Sequence, residues 1–184
     1  ILARTLAGKL QQQFNQTFLV ENRAGGNGVI GVNHVAKAEP DGYTLLVHTS
    51  SYTVTPVTSN DLPYDTVRDF AGITPLGVAP LAMIISPARS SVLPDVPTTL
   101  EAGFPNSEYN FWTGLFAPSK TPRAIINRLY EETIKALDTP EIRERLAKLG
   151  TEPMRLSPEQ FDKRIRDELA ANTIAAKAAG MSGQ

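Results

Sequence analysis

The sequence has no cysteine, two histidines and one tryptophan in 184 residues. The lack of cysteine excludes disulfides, thiol catalysis and every cysteine-based metal site. His34 and His48 are too few for a histidine metal site, so no metal and no organic cofactor is expected. Long hydrophobic runs are lacking too, since the apolar stretch 80–85 is far too short to span a bilayer.

An excess of charge of one sign is also lacking. Lysine and arginine number 18 and aspartate and glutamate 19, which gives a net charge of −1. No run of five or more basic residues occurs, so electrostatics give no reason to expect nucleic acid as a partner. What the sequence does have is 41% hydrophobic residues, enough for one ordinary domain with a real core.

The first half alternates helical and β-prone segments. Leucines recurring every four residues predict a helix over 1–15, and a short helix fits 28–38. Short apolar, β-prone runs predict strands over 17–21 and 43–48. This alternation predicts a parallel or mixed sheet with helices on both of its faces.

The middle of the chain contributes further strands. Two apolar runs, 73–78 and 81–86, predict strands with a bend at Pro80, and the aromatic run 110–116 predicts another. The stretch 56–63 is rich in proline and turn residues, and no helix is predicted there. Trp112 is expected in the core rather than as a ligand platform.

The last third is predicted to be helical, with clear signals for the start and the end of each helix. Hydroxyl–proline pairs at 121–122, 139–140 and 157–158 each place an N-cap before a proline. Gln160 completes a capping box with Ser157. Gly150 and Gly180 are suitable C-terminal stops. The predicted helices are 122–137, 140–148 and 158–178.

A glycine-rich loop, Gly26–Gly31, spells the dinucleotide fingerprint G-x-G-x-x-G. That fingerprint needs its first glycine directly after a strand and an acid near the end of the next strand. Here five residues separate Val20 from Gly26, and the next strand ends without an acid. A tight turn is therefore favoured, with positive φ expected at Gly25, Gly26 or Gly28.

A polar cluster, Thr49-Ser50-Ser51, follows the clearest strand. Neither serine lies in a G-x-S-x-G nucleophile elbow, which argues against a hydrolase and leaves no catalytic candidate. Ligands of open α/β sheets bind outside the carboxyl ends of strands, where hydroxyls and backbone N–H groups suit a carboxylate. These three residues are therefore the candidate ligand site, expected at an exposed edge, with Ser50 as the foremost hydroxyl.

Several longer segments follow one another in a recognisable order along nearly the whole chain. They are VENRAGGNGVIG at 20–31, VAKAEPDGYTLL at 35–46, LPYD at 62–65, RDF at 68–70, LPDVPT at 93–98, EAGFP at 101–105 and WTGLFAP at 112–118. Each is weak alone, but together they resemble the Bug family of TctC-like solute receptors, which serve tripartite tricarboxylate-type uptake systems.

The resemblance implies a periplasmic-binding-protein-like α/β lobe with a mixed, mostly parallel sheet flanked by helices. Residues 1–86 would form the first-lobe segment, 87–121 a return segment with the aromatic strand, and 122–184 the C-terminal helices packed on the sheet. The family's second lobe has no counterpart, because Ser86 to Arg89 joins two first-lobe segments directly. The family's opening strand, which would lie between 17–21 and 43–48, is also without a counterpart.

The resemblance further implies a receptor, not an enzyme, that captures a small carboxylated metabolite in the periplasm. Its partners would be the membrane subunits of the transporter, and strand exchange between two copies would give a homodimer. No signal peptide is recognisable in Ile1-Leu2-Ala3-Arg4. Two alternatives stay open: a nucleotide-linked α/β enzyme using Gly26–Gly31, and a ligand-independent interaction or sensory module.

Overall fold

The computed structural model describes residues 2–59, 61–80 and 110–180. The predicted strand 81–86 and the join from Ser86 to Arg89 lie outside these ranges. Three strands lie within them: β1 (Leu46–Thr49), β2 (Phe70–Pro80) and β3 (Asn110–Pro118). The helices in the same ranges are α1 (Leu2–Phe14), α2 (Val29–Ala36), α3 (Ser51–Thr58), α4 (Arg123–Leu137), α5 (Pro140–Lys148) and α6 (Pro158–Ala178).

The sheet has the strand order β1-β3-β2, and β3 pairs antiparallel with both neighbours. The expectation of a mostly parallel sheet is therefore wrong for the described strands. The reason is that β3 returns between β1 and β2, so every bonded neighbour runs in the opposite direction. The predicted class, an α/β lobe with helices on both faces, is confirmed.

Helices cover both faces of this sheet. Because side chains alternate along β3, Leu115 and Ala117 point to one face and Trp112 and Phe116 to the other. The first face packs against α1, α4 and α5 through Leu6, Leu10, Ile126, Leu129, Leu137, Ile142 and Leu146. The second packs against α2, α3 and α6 through Val32, Val35, Tyr52, Phe161 and Ile165.

Phe161 brings α6 unusually close to the sheet. A Cβ atom built on Gly114 would lie 2.4 Å from Phe161 Cζ, and one on Gly72 would lie 2.8 Å from Phe161 Cδ1. The Phe161 ring also meets Trp112 edge-on, with ring centroids 5.4 Å apart. The two glycines therefore form the recess in the sheet that admits this ring.

The three C-terminal helices follow their prediction closely. The Ser157 capping box is confirmed: Ser157 Oγ accepts from the Gln160 N–H at 3.3 Å, and Gln160 Oε1 accepts from the Ser157 N–H at 2.9 Å. Gly150 and Gly180 end α5 and α6 with φ of 62° and 69°.

The two other hydroxyl caps differ from their prediction. Pro122, not Thr121, is the N-cap of α4. Thr139 is the N-cap of α5, but its hydroxyl donates to the Ala136 carbonyl at 2.7 Å instead of accepting from the helix. The preceding helix α4 ends only two residues earlier and supplies this competing acceptor.

The predicted strand 17–21 is not a strand in the structure, and β1 begins at Leu46 rather than at residue 43. A β-prone run becomes a strand only when a neighbour supplies hydrogen-bond partners. Within the described residues no segment pairs with 17–21 or with the edge of β1 that faces away from β3.

Helix α3 was not expected from the sequence. Its eight residues, SYTVTPVT, are mostly β-branched and include Pro56, and such residues disfavour helix by intrinsic propensity. Tyr52 and Thr53 are buried against the rest of the protein, and the Thr55 hydroxyl donates back to the Ser51 carbonyl at 2.9 Å. Burial and local side-chain bonds therefore override propensity.

Candidate functional site

The junction between β1 and α3 carries all three predicted ligand residues. Thr49 ends β1, Ser51 begins α3, and Ser50 lies between them as the N-cap. Thr49 Oγ1 and Ser51 Oγ are 2.9 Å apart. The cluster thus lies at the carboxyl end of β1, where the sequence placed it.

Exposure differs within the cluster. Thr49 and Ser51 are half-buried, whereas Ser50 is only 2% exposed. The Ser50 N–H donates to the Trp112 carbonyl of β3 at 2.9 Å, and the Ser50 carbonyl accepts from the Thr53 N–H at 3.1 Å. Bound by the strand and by the helix, Ser50 is enclosed, so the expected exposure is wrong for this residue. Ser51 and Thr49 carry the accessible hydroxyls.

The first turn of α3 adds backbone donors to these hydroxyls. N–H groups in the first turn of a helix have no acceptor within the helix, and the helix dipole makes this end electropositive. Ser51 and Tyr52 contribute such groups beside the Thr49–Ser51 hydroxyl pair. Neutral donors at a helix N-terminus suit an anion such as a carboxylate.

His48 precedes this cluster but is directed at the backbone. Its Nδ1 lies 3.2 Å from the Thr49 carbonyl. Its Nε2 faces the glycine loop, because a Cβ atom built on Gly28 would lie only 2.9 Å away. The imidazole therefore extends from β1 toward the glycine loop. It does not point at Ser51, as a general base would.

The glycine loop has the predicted backbone. Gly25, Gly26 and Gly28 have φ of 125°, 54° and 92°, and Gly26–Gly28 form a short 3-10 turn before α2. The described residues ahead of the loop contain no strand, since 17–21 are not paired. The dinucleotide fingerprint therefore lacks the strand that it requires.

Burial lowers the pKa of His48, and the hydrogen bond to Thr49 only partly opposes this effect. The folded protein thus holds His48 neutral where an unfolded histidine, with a pKa of 6.5, takes up a proton. We expect the free energy of unfolding to fall as the pH drops below about 6.5, since the unfolded state then binds more protons.

Urea denaturation of the His48→Gln variant from pH 8 to pH 5 checks this prediction. We expect the variant to lose part of the pH dependence between pH 6.5 and pH 5. His34→Gln, at an exposed position on α2, is the matched control. Parallel pH profiles for the wild type and His48→Gln would contradict the prediction.

Trp112 belongs to the core, as expected, and is fully buried. Its indole N–H donates to Glu168 Oε2 on α6 at 2.8 Å. Glu168 and Asn172, which also contacts Thr53, were not found by sequence reasoning. No local signal could have found them, because their partners lie 56 or more residues away in the chain.

Asp65 and Asp69 hold a turn in the middle segment, where the Asp65 N–H donates to Asp69 Oδ2 at 2.8 Å. Asp65 Oδ1 accepts from the N–H groups of Val67 and Arg68 at 2.9 and 2.7 Å, and the bond from Arg68 is the main cause of its lowered pKa.

Across 2–59, 61–80 and 110–180, no acid or histidine cluster could hold a metal ion. No helix in the same ranges has the length and apolarity needed to cross a membrane.

Comparisons with known sequences agree with these features. The profile of the tripartite tricarboxylate transporter family receptors matches residues 2–91 and 84–181. A UPF0065 protein of a Pseudomonas species is 24% identical over 262 positions, covering 91% of this chain and 78% of that protein. BugT of Bordetella pertussis is 38% identical over 89 residues, which span 47% of this chain and 27% of BugT.

The Pseudomonas alignment bears on the missing segment. Its 262 positions exceed the 184 residues of the chain, so that relative contains a long stretch without a counterpart here. The two profile matches overlap at 84–91. The chain thus represents part of the longer receptors.

Solved structures share the fold. The periplasmic binding protein BugD superimposes with a TM-score of 0.86 at 20% identity, covering 100% of this chain and 93% of BugD. An R. palustris protein solved with adipate gives 0.82 at 20% identity, with coverages of 100% and 93%. MatC from Rhodopseudomonas palustris, solved with malate, gives 0.80 at 21% identity, with coverages of 94% and 92%.

The profile match extends over nearly the whole chain, in two stretches that carry the glycine loop, the β1–α3 junction and the C-terminal helices. The fold of the described residues is that of periplasmic binding proteins. These findings describe solute-binding receptors and not enzymes. This chain therefore belongs to the tripartite tricarboxylate transporter receptor family, the TctC or Bug family.

Proposed function

We propose that this chain supplies the first-lobe part of a periplasmic receptor that captures a small carboxylated metabolite for a tripartite tricarboxylate-type uptake system. The observation that carries the proposal is the pair of hydroxyls, Thr49 Oγ1 and Ser51 Oγ, 2.9 Å apart at the start of α3. Malate and adipate, held by two structural neighbours, are both dicarboxylates and support this ligand class.

Binding at this junction would be non-covalent. Because the Thr49 and Ser51 hydroxyls bond to each other, one of them donates to the ligand carboxylate, together with the N–H groups of the first turn of α3. Ser50, enclosed beneath them, contributes by holding these two neighbours in place. The net charge of −1 fits recognition by neutral donors and the helix dipole.

The partners in this proposal are the ligand and the membrane subunits of the transporter. A homodimer formed by strand exchange stays a prediction. It is motivated by the edge of β1 that faces away from β3, which pairs with no other segment in the described residues. Light scattering coupled to size exclusion would measure the mass of the particle, and a monomer at all concentrations would contradict the exchange.

The carboxylate site is tested by calorimetric titration of malate and adipate into the wild type and variants. We expect Ser51→Ala to weaken binding by about 0.5–1.5 kcal/mol, the net contribution of one hydrogen bond. Combining Ser51→Ala with Thr49→Val removes both accessible hydroxyls. We expect the combined variant to bind at least tenfold more weakly, since about 1.4 kcal/mol corresponds to a factor of ten.

Thr58→Val is the matched control, because Thr58 lies at the opposite end of the same helix and is exposed. Its affinity for either dicarboxylate should equal that of the wild type. Equal affinities for the control and the double variant, with binding retained, would place the carboxylate elsewhere on the protein.

A further inference from the structure

Two residues of α6 contact the side chains that support the β1–α3 junction. Glu168 and Asn172 lie one helical turn apart, on the face of α6 that packs against α3. Neither belongs to the junction itself, yet both bond to residues that hold Ser50. The contacts form two branches, one through Thr53 and one through Trp112.

The first branch starts at Asn172. Its side-chain amide Nδ2 donates to the Thr53 carbonyl and to Thr53 Oγ1, each at 3.1 Å. The Thr53 hydroxyl lies 2.9 Å from the Ser50 carbonyl and 3.4 Å from Glu168 Oε2. Because this hydroxyl has one proton, the shorter contact takes it. Asn172 is thus linked through Thr53 to the Ser50 carbonyl.

The second branch starts at Glu168. Its Oε2 accepts from the Trp112 indole at 2.8 Å, while its Oε1 pairs with Arg164 at 2.8 Å. The Trp112 carbonyl accepts from the Ser50 N–H at 2.9 Å. Both backbone groups of Ser50 are therefore held by residues that α6 restrains. Thr53 and Trp112 are both fully buried, so these bonds lie in a region of low dielectric.

We propose that Glu168 and Asn172 are positioning residues for the carboxylate site, which they orient by holding Ser50 between the Thr49 and Ser51 hydroxyls. The inference rests on the proposed function for its ligand, but the contacts that carry it are independent of any ligand. A site whose donors are already oriented loses less entropy when it binds. Its supporting contacts are as necessary as the groups that touch the ligand.

Two substitutions of Thr53 separate positioning from simple packing. Thr53→Val keeps the shape of the side chain and removes the hydroxyl, whereas Thr53→Ser keeps the hydroxyl and removes a buried methyl group. We expect Thr53→Val to bind malate and adipate about fivefold to tenfold more weakly, and Thr53→Ser to bind as the wild type does. If the Thr53 side chain acts only through packing, the loss of affinity in each variant will parallel its loss of melting temperature.

The α6 residues are tested in the same titrations. We expect Asn172→Ala and Glu168→Ala to weaken binding about fivefold to tenfold, and Glu168→Gln, which retains an oxygen acceptor for the Trp112 indole, to recover most of the loss. Thr173→Ala is the matched control on α6, because the Thr173 hydroxyl donates to the Leu169 carbonyl of its own helix at 2.8 Å.

Amide hydrogen exchange of the free 184-residue chain gives a readout that needs no ligand. We expect Asn172→Ala to accelerate exchange of the bonded Ser50 and Thr53 amides at least fivefold, while exchange along β2 stays unchanged. If the wild type binds neither dicarboxylate, the proposed function fails and the exchange result alone decides the positioning role. Wild-type exchange at the Ser50 and Thr53 amides in Asn172→Ala, or wild-type affinity in Thr53→Val, would overturn the inference.

Discussion

The Phe161→Ala variant is expected to lose about 3–5 kcal/mol of unfolding free energy, the usual cost of removing a buried aromatic ring. Phe161 is fully buried, and its ring centroid lies 5.0 Å from that of Phe116 and 5.4 Å from that of Trp112. The ring fills the recess that two glycines leave in the sheet, and these glycines have no side chains that could fill the cavity left by its removal. A typical domain has only about 5–15 kcal/mol of stability.

Urea denaturation followed by circular dichroism measures this loss. Ile174→Ala is the matched control, since Ile174 lies on the same helix and is 70% exposed. We expect that variant to stay within about 0.5 kcal/mol of the wild type. A loss below about 1.5 kcal/mol in Phe161→Ala would contradict the close packing of α6 on the sheet.

Gly114→Ala is expected to destabilise the protein by about 1–3 kcal/mol, the usual cost of overpacking a core. At an open position in a helix, by contrast, replacing glycine by alanine is usually favourable. The new Cβ atom would lie 2.4 Å from Phe161 Cζ and 3.1 Å from Trp112 Cζ3. Movement of the strand is opposed, because Gly114 pairs with His48 of β1 on one side and Pro75 of β2 on the other.

The matched control is the same substitution at Gly8 in α1, where a Cβ atom would meet nothing within 4 Å. Gly8→Ala should raise the free energy of unfolding by about 0.5–1 kcal/mol. Combining Gly114→Ala with Phe161→Leu should recover part of the loss, since leucine lacks the ring atom that collides. Thermal melts in which Gly114→Ala and Gly8→Ala change the melting temperature in the same direction would refute the steric account.

The C-terminal helices could be predicted from the sequence because their signals are local. α5 and α6 begin and end at the predicted residues, 140–148 and 158–178. A proline after a hydroxyl residue starts each of them, and a glycine with positive φ follows each. The positive φ of the glycine loop was predictable for the same reason, since only the chain within a few residues decides it.

The family was also readable from the sequence, because it depends on the order of segments and not on their packing. The position of Thr49, Ser50 and Ser51 after a strand followed from the neighbouring residues alone. Their exposure did not: Ser50 is enclosed because β3 and α3, both set by distant segments, bind its N–H and carbonyl groups.

Tertiary structure alone decided the remaining features. The antiparallel order β1-β3-β2 arises because β3, far along the chain, returns between the two earlier strands. The helix α3 forms against its own propensity because Tyr52 and Thr53 are buried. Glu168 and Asn172 meet the junction across more than 50 residues of sequence. Short-range backbone preferences can be read from consecutive residues, whereas burial and long-range pairing exist only once the whole chain has folded.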